Sequence, residues 1–335
     1  MENQDISRRR FLSTSALAAA GFALVRVPVF GAPAYIKNLG KPNSLFNGVQ
    51  VGAITYSWRS LPGTAEDILK YCIDCNISAI ELMGPTGEQF AGAPEAPPRP
   101  NMAPGANGQR PEMTDEQKAA QKEYATKMAD WRAKVSMDKF VQLRKKYNDA
   151  GVSIYAFKPN ALNVNSTDAE IDYAFRAAKA LGANQANVEL PNDPGQTKRL
   201  GEIALKNKVY VGYHGHTQQT PTWWDTALGQ SKYNAMNFDM GHYVAAGFDP
   251  IPLIETKHDH IVSMHVKDRK NKEHGGANVV WGEGDTPITA ALELMRARKY
   301  KFPATIELEY EIPAGSDPLK ETAKCVEYAR KALGA

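Results

Sequence analysis

From Val49 to the C-terminus, short runs rich in β-branched apolar residues alternate with longer segments whose apolar positions recur every three or four residues. The first pattern suits strands covered on both faces and the second suits helices with one apolar side, so the alternation predicts successive βα units and a parallel sheet. Eight strand-like runs stand at 49–56, 78–83, 152–157, 185–190, 209–214, 235–239, 261–266 and 304–308, with helical stretches at 64–76, 168–181, 197–207, 287–299 and 318–333. Eight units within 49–335 predict a (β/α)₈ TIM barrel, a fold of typically ~250 residues and more with insertions. A doubly wound open sheet is the alternative, but no G-x-G-x-x-G follows the first run.

One stretch breaks the rhythm. Residues 84–113 are crowded with Pro, Gly and Ala, which predicts an irregular surface segment inserted after the second strand; 114–149 then reads as one or two helices. The insertion follows a strand on the face where barrels build their sites, which suits a lid, and an insertion of no consequence is the alternative.

Ahead of the barrel, Ser7-Arg8-Arg9-Arg10-Phe11-Leu12 leads into an apolar run from Ala16 to Val25, and Ala32-Pro33-Ala34 offers a small-x-small cleavage site. The segment 1–34 resembles a twin-arginine export signal, which implies a periplasmic protein exported already folded. An uncleaved membrane anchor is the alternative, although the run is short for the ~20 residues of a span. No later segment approaches that length, so no membrane association is expected once the signal is gone.

Composition adds mainly exclusions. With 43% hydrophobic and 23% charged residues the chain is neither disordered nor fibrous. The formal charge of +3 falls to +1 when residues 1–34 are set aside, because they hold four arginines against Glu2 and Asp5, so nothing electrostatic points to nucleic acid. Three cysteines make no disulfide framework, and Cys72 and Cys75 read as small buried groups of one helix rather than a redox pair.

In a barrel of this kind the carboxyl ends of the strands converge on one mouth. Ionisable residues gather there: Glu189 ends the fourth run, His214 and His216 the fifth and Asp239 the sixth, while His265 lies in the seventh and Glu307 and Glu309 in the eighth. Charges inside apolar strands are costly, and several carboxylates near one point repel each other; a divalent cation relieves both costs. Imidazole mixed with carboxylate suits Mn²⁺, Co²⁺, Fe²⁺ or Zn²⁺, and Mg²⁺ stays on the list of candidates. His258, His260 and His274 read as surface residues.

The stretch from Phe238 to Pro250, with Asp239-Met240-Gly241-His242 at its head, and Met264-His265-Val266-Lys267-Asp268 resemble the xylose-isomerase-like barrel superfamily of sugar isomerases and epimerases, inosose dehydratases and endonuclease IV. The likeness runs from about Val49 to the C-terminus. It implies metal ligation by Asp239, His265 and Glu307, in that order along strands six to eight. The usual fifth-strand Glu is replaced by His214 in a Tyr-His-x-His ending, so the fourth ligand is either His214 or Glu189 from the fourth strand. His242 matches a position that binds metal or substrate in some relatives.

One metal with neighbouring bases suits proton abstraction next to a carbonyl, through an enediolate. Glu189 and His216 are the candidates for moving the proton, with Glu307 at the same centre; Lys267 and Arg269 are candidates for holding a substrate oxygen, with a solvated charge run as the alternative. The expected activity is a metal-dependent sugar isomerase or epimerase acting on a small sugar or glycoside. The runners-up are a 3-keto-glycoside lyase or an inosose-type dehydratase, and then a non-catalytic sugar-binding barrel using Trp58, Trp223 and Trp224. Phosphodiester cleavage is disfavoured by the neutral body, and a homo-oligomer stays open.

Overall fold

The computed structural model describes residues 41–98 and 112–335. The expected export segment, 1–34, and part of the 84–113 insertion lie outside the described residues. Eight parallel strands close into a barrel: β1 (Val49–Ile54), β2 (Ala79–Met83), β3 (Ser153–Lys158), β4 (Gln185–Glu189), β5 (Tyr210–His214), β6 (Asn234–Asp239), β7 (Ile261–Val266) and β8 (Ala304–Ile306). Each pairs with its neighbour in sequence, and β8 closes on β1 with Ala304 opposite Val51. A two-residue strand, Leu45–Phe46, pairs antiparallel with β1.

Helices wrap the outside: α1 (Ala65–Asp74), α2 (Gly84–Phe90), α3 (Asp115–Lys134), α4 (Asp138–Asp149), α5 (Asp168–Leu181), α6 (Pro194–Asn207), α7 (Asp225–Gln230), α8 (Met240–Ala245), α9 (Pro250–Lys257), α10 (Ile288–Arg298) and α11 (Pro318–Ala332). The sequence explains their starts. Thr64, Thr114 and Thr167 each cap a helix through a reciprocal bond with the residue three positions on, so orphan N–H groups of the first turn find acceptors. Among the described residues no helix is long and apolar enough to cross a membrane.

The irregular segment expected from residue 84 is corrected at its start, where Gly84–Phe90 forms α2. Pro85 falls in the first turn, where its missing N–H costs no helical hydrogen bond, so proline density there does not prevent a helix. The stretch read as one or two helices is two, α3 and α4, parted at residues 135–137. A cavity of about 1100 Å³ lies beside α3, lined by Glu88, Tyr124, Met128 and Arg132 among others, and none of the strand-end His, Asp and Glu residues lines it.

The barrel interior is polar to an unusual degree. Along β6 the apolar Met236 and Phe238 alternate with Asn237 and Asp239, and along β7 Met264 and Val266 alternate with Ser263 and His265; all are buried. Period-two alternation therefore puts apolar side chains under the helices and polar ones into the barrel. The inner groups pair with one another in part: Gln185 Nε2 donates to Ser263 Oγ at 2.6 Å and to Asn187 Oδ1 at 3.0 Å, and Tyr155 pairs with Thr305 at 2.6 Å, while Gln185 Oε1 and Asn187 Nδ2 have no hydrogen-bond partner. Gly212 is needed here, since a Cβ would stand 2.0 Å from Asn187 Oδ1. Cys72, Cys75 and Cys325 are free and buried, and burial pushes all three thiols above the usual range, so they are packing groups.

Candidate active site

The registers decide which side chains meet. Asp239 lies opposite His265, His265 opposite Thr305, and Glu189 opposite His214, so the ends of β4 to β8 turn their polar residues into one mouth. His214, Asp239, His265 and Glu307 are all buried, and one donor atom from each lies within 4.8 Å of the others.

Asp239 is fixed by its own backbone. It caps α8, its Oδ1 accepting the N–H of His242 at 2.7 Å, which leaves Oδ2 facing the mouth. Buried Oδ2 accepts no aligned hydrogen bond, although His214 Nε2 stands 4.0 Å away and His265 Nδ1 3.9 Å away. His214 donates from Nδ1 to Asn237 Oδ1 at 2.7 Å, and burial pulls its pKa well below the ordinary value, so the ring is neutral with Nε2 bare. His265 lies between two carboxylates, with Nδ1 2.9 Å from Glu307 Oε2 and Nε2 2.8 Å from Glu81 Oε2. Burial alone would lower its pKa, but Glu307 and Glu81 outweigh that and raise it to about 10.

Lys267, fully buried, extends through the same space. Its Nζ lies 3.0 Å from Asp239 Oδ2, 2.7 Å from Glu307 Oε2 and 2.7 Å from Glu309 Oε2. Its stem passes Gly241, where a Cβ would stand 2.3 Å from Lys267 Cγ. Burial works against ionised Glu307 and Glu309, yet their cationic neighbours prevail: Glu307 falls well below the carboxylate range, and Glu309 falls to about 2 through His242 and Lys267.

A second tier lies toward solvent. His216, about half exposed, packs against the His242 ring with centroids 4.6 Å apart, and its Nδ1 is 3.5 Å from Glu189 Oε2. Burial lowers the pKa of His216, with Glu189 opposing, so the ring is neutral near pH 7 and able to accept a proton. Glu189 also accepts from Lys158 Nζ at 3.0 Å. His242 meets the Arg269 guanidinium through Nδ1, and its Nε2 is 3.4 Å from Glu309 Oε2. The loop bearing Arg269 is pinned by Asp268, whose carboxylate accepts the N–H groups of Gly282, Gly284 and Thr286 at 2.7, 2.9 and 3.2 Å.

The donor set fits a divalent cation. Two imidazoles and two carboxylates converge, one carboxylate oxygen is buried without a hydrogen bond, and one imidazole nitrogen is bare. With His265 protonated between its two carboxylates, five carboxylates (Glu81, Glu189, Asp239, Glu307, Glu309) face four cations (Lys158, Lys267, Arg269 and His265), which leaves one negative charge. Lys267 Nζ already pairs with Asp239 Oδ2 and Glu307 Oε2, so an ion held by these residues would share its carboxylates with the lysine.

Sequence-predicted residues therefore divide. His214, Asp239, His265 and Glu307 come together, whereas Glu189 stands apart in an ion pair with Lys158. Of the charge run 267–272, Lys267 and Arg269 turn into the site. Trp58 and Trp224 are not open stacking platforms: both are buried, donating from Nε1 to Thr322 Oγ1 and to the Tyr213 carbonyl. The sequence reading missed Glu81, Asn237 and Lys158; the signal for Glu81 was a carboxylate set between Ile80 and Leu82 in a buried strand.

A parallel barrel whose strand ends gather buried imidazoles and carboxylates belongs to a class that binds its ligands at that mouth. Residues 117–331 match the family model described as xylose isomerase-like TIM barrel, and the chain belongs to that family. Over 153 residues it is 27% identical to an inosose dehydratase of Lactiplantibacillus plantarum, a stretch of 40% of this chain and 51% of that protein, so the match spans about half the relative's length. Among solved structures it is similar to the probable 3-DHS dehydratase AsbF involved in petrobactin synthesis from Bacillus anthracis, at a TM-score of 0.57 and 15% identity over 83% of this chain and 98% of that one. It is also similar to a sugar phosphate isomerase/epimerase from Parabacteroides distasonis, at 0.52 and 16% over 85% and 95%. At these identities the two structures speak for the fold alone.

Proposed function

We propose that the protein is a divalent-metal-dependent enzyme that moves a proton on carbon next to the carbonyl of a sugar or sugar-like ketone, with isomerisation or epimerisation as the outcome. The observation that carries this reading is the convergence of His214, Asp239, His265 and Glu307 within 4.8 Å, beside the neutral base His216. Those four residues would hold the ion, which when bound supplies Lewis-acid stabilisation of the anion left as the proton departs.

The protein's own groups do the rest. His216 accepts the proton, and Glu189, 3.5 Å away, steadies the imidazolium that results. Arg269 and His242 sit beside this base, the His242 ring packing against that of His216, placed to hold substrate hydroxyl oxygens. Glu309 keeps Lys267 charged and directed inward.

A second reading, elimination of water from the same anion, is favoured by the 27% identity to an inosose dehydratase. The two separate by NMR in deuterated buffer, with ketohexoses, an inosose and a 3-keto-glucoside as substrates. Deuterium entering an epimer or isomer supports the first; an enone, or the dione it tautomerises to, formed without a deuterated epimer supports the second, since the carbon that loses the proton enters the double bond; neither exchange nor enone with any of them under added Mn²⁺ contradicts both. His216→Asn lowers the exchange rate by roughly 10²- to 10⁴-fold, as for loss of a general base.

Export belongs to the same proposal. The arginine-led segment 1–34 directs the folded protein to the periplasm, and cell fractionation of a full-length protein against an Arg8→Lys, Arg9→Lys variant tests it: retention of the variant supports export through that signal.

A further inference from the structure

One buried carboxylate that the proposed chemistry does not use touches both imidazoles of the cluster, one directly and one through an amide. Glu81 comes from β2, on the far side of the barrel, and is wholly buried. Its Oε2 accepts from His265 Nε2 at 2.8 Å and from Asn237 Nδ2 at 3.2 Å. Asn237 in turn donates from Nδ2 to Ser263 Oγ at 2.6 Å and takes the proton of His214 Nδ1 on Oδ1 at 2.7 Å.

A carboxylate oxygen can only accept, so the amide nitrogen of Asn237 must face Glu81. The amide oxygen must then face His214, and an oxygen can only take a proton from Nδ1. The same carboxylate holds a proton on His265 Nε2, so that Nδ1 is the nitrogen turned to Asp239 and Glu307. Two imidazoles thus present opposite nitrogens, Nε2 of His214 and Nδ1 of His265, to one point, and a single carboxylate dictates both.

We infer that Glu81 is a positioning residue that, directly on His265 and through Asn237 on His214, fixes which ring nitrogen each histidine offers to the ion. The inference rests on the metal-centred reading for its purpose, while the proton positions are testable without metal. Outer partners of this kind are typically worth 10- to 100-fold in metal affinity.

The test uses the full chain with ¹⁵N-labelled histidine. In metal-free protein, long-range ¹H–¹⁵N spectra are expected to show His214 as the neutral ring protonated on Nδ1. In Glu81→Met the amide of Asn237 is free to turn, and a mixed or reversed His214 tautomer is expected, with Mn²⁺ affinity, read by electron paramagnetic resonance of free Mn²⁺, lower by 10- to 100-fold. Glu81→Gln, which keeps one acceptor oxygen at similar volume, is expected to lie between and serves if Glu81→Met does not fold. An unchanged His214 tautomer in a folded Glu81 variant overturns the inference whatever the metal does. Wild-type protein that takes up no Mn²⁺, Co²⁺ or Zn²⁺ overturns the metal-centred reading instead, and the tautomer comparison still decides the role of Glu81.

Discussion

Among the described residues, two of the buried clusters of charge are finished differently. On the outer wall Arg132 of α3 donates to Glu88 at 3.0 Å, to Glu170 at 3.1 Å and to the Asn160 carbonyl at 3.1 Å, while Glu88 also accepts from Tyr173. None of the buried polar atoms without a hydrogen-bond partner belongs to that triad. At the strand ends the same kind of residues leave Asp239 Oδ2, Glu81 Oε1 and His242 Nε2 without one. Folding alone rewards the first arrangement, since an unpaired buried polar atom costs free energy. The second holds two of those atoms by charge alone, Asp239 Oδ2 at 3.0 Å from Lys267 Nζ and His242 Nε2 at 3.4 Å from Glu309 Oε2, and so keeps hydrogen-bonding capacity that a ligand can use.

The widest separation between the clusters is in stability. Arg132→Met strands Glu88 and Glu170 against each other and is expected to cost about 3–5 kcal/mol in denaturant unfolding, with Mn²⁺ uptake by the folded fraction unchanged. Asp239→Asn is expected to do the reverse. Its Oδ1 still caps α8 and Lys267 keeps Glu307 and Glu309 as partners, so unfolding changes by only about 1–2 kcal/mol, while Mn²⁺ affinity falls by about 100-fold or more, beyond the loss of an outer partner. A large stability loss with intact binding would erase the distinction between the clusters.

The pH dependence sharpens it further, and with smaller steps. His265 is raised from about 6.5 to about 10 in the folded protein, so the folded state binds a proton that the unfolded state loses. That contribution is complete below about pH 6.5 and disappears as pH rises through about 10. Metal-free protein should therefore lose stability toward alkaline pH by at most about 1.4 kcal/mol per unit. Binding of an ion requires the Nδ1 proton of His265 to leave, so Mn²⁺ affinity should rise over the same interval by up to about tenfold per unit. Melting curves and calorimetric titrations between pH 6.5 and 9 read both slopes; parallel slopes of one sign would contradict this account of His265.

Much of this was legible in the sequence because strand periodicity is two and the barrel's inner face is polar. Asn237-Phe238-Asp239 and Ser263-Met264-His265 each announce a buried strand with an ionisable end, and the closed barrel then brings those ends together. Glu81 was harder to read. Its neighbours Ile80 and Leu82 mark only a buried strand, and its partners lie 156 and 184 residues away, a separation that no local pattern encodes. The choice between Glu189 and His214 was equally closed to sequence, because both end adjacent strands in register; what distinguishes them is that Lys158 reaches Glu189 and leaves it about half exposed at the rim, while His214 is buried. In the insertion, proline density concealed α2, since the consequence of a proline depends on its place within the turn.

The convergence of His214, Asp239, His265 and Glu307 on one ion is tested most directly by counting that ion. Protein stripped of metal and titrated with Mn²⁺ in a calorimeter, with elemental analysis of the dialysed product, is expected to hold one ion per chain in the wild type and none in Asp239→Asn at the same concentration. A folded wild-type protein that retains no divalent ion, or an Asp239→Asn variant that retains as much as the wild type, would contradict the account.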